Sequence, residues 1–134
     1  MLSTSLKTFA LASTFAVALF TAPQANATNF VLPAYSAAQL VEAEQQGSFV
    51  LVATKPGCPV CAKQVPVIEA LLKDPAFSDL KVLQYNQVTE KALNNRYGVT
   101  GQSTIIVVNK GELVSLTRGL TDEQAIKAEM LKAL

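Results

Sequence analysis

The chain has only two cysteines, Cys58 and Cys61, which enclose the dipeptide Pro59-Val60 between a strand-like apolar run and a helix-like segment. At a helix start, the first sulfur lies beside free main-chain N–H groups and the positive end of the helix dipole, and both stabilise a thiolate. Proline suits the first helical position because its missing N–H has no partner to lose there, so Cys58 is predicted to be the N-cap. This pattern indicates electron exchange at the cysteine pair.

Two other uses of the cysteines stay open. A structural disulfide that closes so short a loop removes little entropy from the unfolded chain, about 2 kcal/mol, which is less than a longer bridge supplies. A closed zinc site needs four ligands, whereas the chain offers Cys58, Cys61 and no histidine. A metal site would therefore need carboxylates as well, or the pooled thiolates of two molecules in a dimer.

The N-terminal residues 1–27 have the pattern of a secretory signal peptide. Lys7 is their only charged residue, an apolar stretch spans residues 9–20, and Ala25-Asn26-Ala27 is typical of a cleavage site. The apolar stretch is about a dozen residues long, whereas a helix that spans a bilayer needs about 20. We therefore expect residues 1–27 to be cleaved and residues 28–134 to form one periplasmic or secreted domain without stable membrane insertion. An uncleaved membrane anchor is the alternative.

The composition favours a core that is stable without cross-links. Exported domains often carry several disulfides as cross-links, but this chain has one cysteine pair and 50% hydrophobic residues.

The charge balance after residue 27 limits the expected partners. Ten acidic and ten basic residues follow Ala27, so their charges balance. Because no basic run is present, neither a nucleic acid nor a lipid surface is expected as a partner.

Strand-like and helix-like segments alternate after residue 27. Phe49–Ala53 is a continuous apolar run, typical of a strand that is buried on both faces. The other predicted elements are an edge strand at Asn29–Leu32, a helix at 37–46 capped by Ser36, a helix at 59–73, a strand at 81–85, a helix at 89–97, a hairpin of strands 105–108 and 112–116, and a last helix at 122–133 that opens with a Thr121–Gln124 capping box. The order predicts an α/β fold, a central mixed sheet with helices on both faces.

The helix after the cysteines has an apolar stripe that separates the two sulfurs. Cys61, Val65, Ile68 and Leu72 recur at helical spacing, which places Cys61 on the buried face. Cys58 at the cap is then predicted to be the exposed sulfur and the better candidate for attack.

Several motifs occur together in a fixed order. They are Phe49–Ala53 leading to Cys58-Pro59-Val60-Cys61, Pro66, Tyr97-Gly98-Val99 before the strand at 105–108, the turn Asn109-Lys110-Gly111-Glu112, and Gly119. This set resembles the thioredoxin superfamily over nearly all of residues 28–134. The resemblance implies a thioredoxin-like fold in which Cys58 is the attacking thiol and Cys61 the resolving thiol, and no organic cofactor is required.

Three positions differ from the pattern of that family. Gly57 stands where thioredoxins usually have tryptophan, and Val52 stands where they place a buried acid. Because no proton acceptor for Cys61 is then evident, resolution of a mixed disulfide is expected to be slow. The family's cis-proline aligns with Ser103, where a trans peptide is expected because a cis bond before serine costs about 3–4 kcal/mol.

By the same resemblance, Gln102, Ser103 and Thr104 form the loop along which substrates dock, and Ser103 brings its hydroxyl and its N–H next to the sulfurs. The expected function is exported thiol–disulfide exchange between the Cys58–Cys61 pair and protein or small-molecule thiols or disulfides. The alternatives are a thioredoxin-like module that binds a metal through Cys58 and Cys61, across a dimer if needed, and a non-catalytic thioredoxin-like interaction domain.

Overall fold

The computed structural model describes residues 31–134, so the predicted signal peptide at residues 1–27 lies outside the described residues. The elements are α1 (Ala37–Gln46), β1 (Phe49–Thr54), α2 (Pro59–Leu71), a single 3-10 turn (Pro75–Phe77), β2 (Lys81–Asn86), α3 (Lys91–Tyr97), β3 (Thr104–Asn109), β4 (Glu112–Arg118) and α4 (Glu123–Leu131). Over the range 31–134, no helix has the length and apolar content needed to cross a membrane.

The four strands form one mixed sheet in the order β2-β1-β3-β4. β1 pairs in parallel with β2 and antiparallel with β3, and β3 and β4 form an antiparallel hairpin. Because β1 has a partner strand on each edge and helices on each face, its residues Phe49–Ala53 are all buried. The continuous apolar run of the sequence is thereby explained, and the predicted mixed sheet is confirmed.

Helices cover both faces of the sheet, as predicted for an α/β fold. Val50 and Val52 of β1 pack in the apolar cluster that includes side chains of α2 and α4. Phe49, Leu51 and Ala53 pack in the cluster that includes side chains of α1 and α3. Each fully buried aliphatic or aromatic side chain contributes about 1.5–3 kcal/mol by its removal from water, so the two layers hold β1 firmly. The end of β1 is therefore a fixed platform for the loop that follows it.

Local signals set several element ends. Ser36 caps α1 with its hydroxyl, which accepts a hydrogen bond of 3.2 Å from the N–H of Gln39. The β3–β4 hairpin turns through Lys110 and Gly111, whose φ angles of 52° and 80° are those of a two-residue turn that matches the twist of the strands.

Other element ends differ from the predictions. Of the edge strand predicted at Asn29–Leu32, residues 29 and 30 lie outside the described residues, and Val31 and Leu32 are not in a strand. The nearby Ala34 forms an isolated parallel bridge with Gln84. Pro33 explains this, because it has no N–H with which to extend a ladder. The last helix is capped by Asp122, which accepts from the N–H of Ala125, so the capping box predicted at Thr121 is wrong by one residue. The predicted helices at 59–73 and 89–97 are shorter, by two residues at the end and at the start respectively.

Candidate active site

The loop after β1 delivers the two cysteines to the start of α2. Lys55, Pro56 and Gly57 are exposed, and the loop closes when the N–H of Cys58 donates to the carbonyl of Lys55 at 3.2 Å. Cys58 is the N-cap of α2, and its sulfur accepts a hydrogen bond of 3.1 Å from the N–H of Cys61. The predicted N-cap is confirmed. The sulfur therefore lies where a helix start favours a negative charge.

Cys58 and Cys61 are joined by a disulfide, and their Cα atoms are 5.3 Å apart. Both residues are buried, with exposed fractions of 8% for Cys58 and 5% for Cys61. The predicted contrast between an exposed first sulfur and a buried second sulfur is therefore wrong for this oxidised form. Pro59 and Val60 between them are exposed, so partners can approach over the turn of the helix.

The side chain of Ser103 contacts both sulfurs. Its side-chain Oγ lies 3.2 Å from the sulfur of Cys58 and 3.2 Å from the sulfur of Cys61, and the residue is 3% exposed. The described residues contain no cis peptide bond, so the trans peptide expected before Ser103 is confirmed. The prediction that the hydroxyl lies next to the sulfurs is confirmed. The N–H of Ser103 donates to the carbonyl of Ala53 at 2.7 Å and therefore does not donate to a sulfur.

The two neighbours of Ser103 have structural partners. The hydroxyl of Thr104 donates to the carbonyl of Gly101 at 2.7 Å, and Thr104 is the first residue of β3. The carbonyl of Gln102 accepts from Nε of Arg118 at 3.2 Å. Of the predicted loop, only the side chain of Ser103 is hydrogen-bonded to the sulfurs. The docking role of Gln102, Ser103 and Thr104 stays a prediction.

Gln64 was not among the residues predicted for the site, although it is fully buried beside it. Its side-chain Nε2 donates to the carbonyl of Ser103 at 3.2 Å and to the carbonyl of Leu120 at 2.8 Å. The sequence carried a signal, because Gln64 falls three residues after Cys61 and four before Ile68, inside the apolar stripe of α2. A polar residue on such a stripe needs a partner, and here the partners are two main-chain carbonyls.

An open groove of about 620 Å³ lies beside the disulfide. Its lining includes apolar side chains of the α2 segment, such as Pro59 and Val65, and polar side chains of β2, Gln84 and Asn86. Lys55 is the one charged residue of this lining. Val52, the position where the resemblance calls for an acid, is fully buried within β1. The groove lining and position 52 therefore supply no carboxylate.

No group of three or more cysteine, histidine, aspartate or glutamate side chains gathers into a metal-binding cluster within residues 31–134. The two thiols alone do not complete a zinc site, which takes four ligands. The metal site that pools Cys58 and Cys61 from two molecules stays a prediction.

Solved structures of known proteins share this architecture. The crystal structure of Trxlp from Edwardsiella tarda EIB202 matches with 31% sequence identity and a TM-score of 0.68, over 72% of this chain and 95% of that chain. A mutant thioredoxin from Halobacterium salinarum NRC-1 matches with 24% identity and a TM-score of 0.66, over 78% and 91%. Malassezia sympodialis thioredoxin (Mala s 13) matches with 16% identity and a TM-score of 0.63, over 77% and 90%. No protein-family model matches the sequence, and no curated protein does.

Proposed function

Because the chain belongs to the thioredoxin superfamily, we propose that it is an exported thiol–disulfide oxidoreductase that works through Cys58 and Cys61. The main support for the proposal is the disulfide between Cys58, the N-cap residue of α2, and Cys61, whose N–H donates to the sulfur of Cys58. On reduction, the same N–H and the helix start would stabilise a thiolate on Cys58, which is the reactive form in disulfide exchange.

The proposed reaction has two exchange steps. The Cys58 thiolate attacks one sulfur of a partner disulfide, so a mixed disulfide forms and the other partner sulfur leaves as a thiolate. Cys61 then loses its proton and attacks the sulfur of Cys58, which releases the second partner thiolate and forms the Cys58–Cys61 disulfide. Two electrons pass to the partner in total. The reverse sequence oxidises a partner dithiol.

The second step is expected to be the slower one. Cys61 is 5% exposed, and Val52, at the position where the resemblance calls for an acid, supplies no carboxylate, so deprotonation depends on water in the groove. Because the charges after Ala27 balance, no strongly acidic or basic partner is expected. The proposed substrates are protein or small-molecule thiols and disulfides.

Export rests on a separate feature, the signal-like pattern of residues 1–27. We therefore place the proposed activity in the periplasm or outside the cell, which are oxidising compartments that permit disulfides. The proposed exchange needs no organic cofactor, because sulfur atoms carry the electrons.

The test is turnover of a disulfide-bonded model protein with dithiothreitol as electron source. The protein with residues 28–134 is expected to accelerate reduction, and the Cys58→Ser variant is expected to have no activity above the uncatalysed rate. Equal rates for the two proteins would favour a non-catalytic interaction domain instead. Stoichiometric metal in freshly purified protein would favour the metal-binding alternative.

The direction of exchange is set by the reduction potential of the pair. A value near −270 mV, as in thioredoxin, would identify a reductant that needs an electron supply, whereas one near −120 mV would identify a disulfide donor. Equilibration with glutathione buffers measures this potential directly.

A further inference from the structure

Ser103 is held in place by its main chain. Its N–H donates to Ala53 at 2.7 Å, and its carbonyl accepts from the N–H of Gly119 at 2.8 Å and from Gln64 at 3.2 Å. Its φ angle of 60° lies in the left-handed region, which few residues other than glycine adopt. Because these bonds do not involve the sulfurs, they hold the main chain of Ser103 beside the pair whether or not the disulfide is formed.

A serine hydroxyl can donate one hydrogen bond and accept two. In the oxidised form its oxygen is equally distant, at 3.2 Å, from both sulfurs. When the disulfide is reduced to one thiolate and one thiol, the hydroxyl can donate to only one of them. It can accept from the S–H of the other.

The N–H of Cys61 decides which sulfur takes the negative charge. That N–H already donates to the sulfur of Cys58 at 3.1 Å, so Cys58 can receive two hydrogen bonds as a thiolate. We propose that the Ser103 hydroxyl is a redox-tuning group that donates to the Cys58 thiolate and accepts from the Cys61 thiol. The proposal deepens the proposed function and rests on it, since it concerns the reduced state of the same pair.

The hydroxyl should stabilise the reduced pair more than the disulfide. A hydrogen bond to an ionised acceptor is about twice as strong as one between neutral groups. With glutathione as reductant, the disulfide and two glutathione thiols give the Cys58 thiolate, the Cys61 thiol, glutathione disulfide and one proton. Ser103 therefore moves this equilibrium toward the reduced protein, which makes the pair a stronger oxidant than it would be without the hydroxyl.

The test compares the wild-type protein with Ser103→Gly and Ser103→Ala. Both variants remove the hydroxyl, and glycine adopts a φ angle of 60° without strain, so agreement between the two separates the hydrogen bond from a backbone effect. The matched control is Ser48→Ala, which removes a hydroxyl that bonds to Asn109 at the opposite end of β1. Circular dichroism confirms folding of each variant before titration.

Two quantities are measured, namely the pKa of Cys58 from thiolate absorbance and the equilibrium constant with glutathione at several pH values. Removal of the hydroxyl is expected to lower the acid constant of Cys58 about tenfold and to lower the glutathione equilibrium constant about tenfold, a shift of about 30 mV toward the reducing side. The difference in the glutathione equilibrium constant between wild type and variant should shrink at low pH. Below the Cys58 pKa of both proteins, the thiolate is absent. Ser48→Ala should change neither quantity.

Unchanged values in both Ser103 variants would overturn the inference, and so would a shift that persists at low pH, because a neutral packing effect does not depend on the thiolate. Neither measurement needs a protein substrate. Failure of the wild-type protein to reduce a protein disulfide would therefore contradict the proposed function, whereas the Ser103 shift would still support the hydrogen bond.

Discussion

The side-chain amide of Gln64 donates a hydrogen bond of 3.2 Å to the main-chain carbonyl of Ser103. The same nitrogen reaches the carbonyl of Leu120 at 2.8 Å, so one buried side chain of α2 connects the loop before β3 with the segment before α4. Ser103 in turn touches both sulfurs. Gln64 thus holds the main chain of the residue whose hydroxyl contacts the cysteine pair.

Gln64→Glu is expected to destabilise the protein by about 3 kcal/mol or more at neutral pH, because a buried carboxylate would face two carbonyl oxygens. Burial would raise the pKa of this carboxyl in the folded state. A raised folded pKa means that the loss is small below the unfolded pKa of about 4.3 and grows as pH rises through the folded pKa. Urea unfolding at several pH values measures the difference from wild type.

The matched control is Gln45→Glu, since Gln45 is exposed on α1. Its effect should stay within about 0.5 kcal/mol at every pH. Equal effects of the two substitutions at neutral pH would contradict the assigned role of Gln64.

Two cross-strand partners of the hairpin should respond differently to truncation. Ile106 of β3 is fully buried and pairs with Leu116 of β4, which is 41% exposed. Ile106→Ala is expected to lower the free energy of unfolding by about 2–5 kcal/mol, because it leaves a cavity that the two helices over it cannot close. Leu116→Ala should cost less than about 1 kcal/mol. Chemical denaturation measures the free energy of unfolding of both variants. Similar losses of this free energy would contradict the expected difference and would mean that β4 is covered in solution.

Because Tyr85 is buried, we expect the free energy of unfolding to fall at alkaline pH. Burial, and then the nearby Tyr97, raise the pKa of Tyr85 to about 12, and its hydroxyl donates to Asn94 at 3.1 Å. Because the unfolded side chain ionises near pH 10, stability is full below pH 10 and is lost as pH rises toward 12, by about 3 kcal/mol in total. Tyr85→Phe should remove this part of the slope. An unchanged slope between about pH 10 and 12 in the variant would contradict the assignment.

Export predicts a defined new N-terminus. If residues 1–27 are a signal peptide, protein recovered from the periplasm or medium should begin at Thr28. Mass spectrometry of the intact exported chain measures this. Ala27→Leu is the matched variant, because a large side chain at the last small position should block cleavage and leave the precursor in the membrane fraction. Retention of residues 1–27 in the wild-type exported protein would contradict the signal peptide.

Elements with strong local signals were predicted well from the sequence. The continuous apolar run of β1 identified a central strand, and Ser36 marked the start of α1. The last helix shows the limit of such signals, because Thr121 and Asp122 are both good N-cap residues and the sequence does not rank them. The structure uses Asp122.

Of the contacts between residues distant in sequence, only the one that the family resemblance supplied was predicted, namely the Ser103 hydroxyl next to the sulfurs. Cys58 and Ser103 are 45 residues apart, and only the fold brings the Ser103 hydroxyl to the first sulfur. The φ angle of 60° at Ser103 is unusual for a residue other than glycine, so no local sequence pattern predicted it. Gln64 carried a signal as a polar residue on an apolar stripe, but its partners come from two separate loops.

The central claim is that Cys58 exchanges disulfides and Cys61 resolves the intermediate. The direct test is to incubate reduced Cys61→Ser and reduced Cys58→Ser separately with a disulfide-bonded protein and to identify covalent adducts by mass spectrometry. Cys61→Ser is expected to accumulate mixed disulfides at Cys58 that dithiothreitol releases, and Cys58→Ser is expected to form few. No adduct with Cys61→Ser, or equal adducts with both variants, would contradict the account.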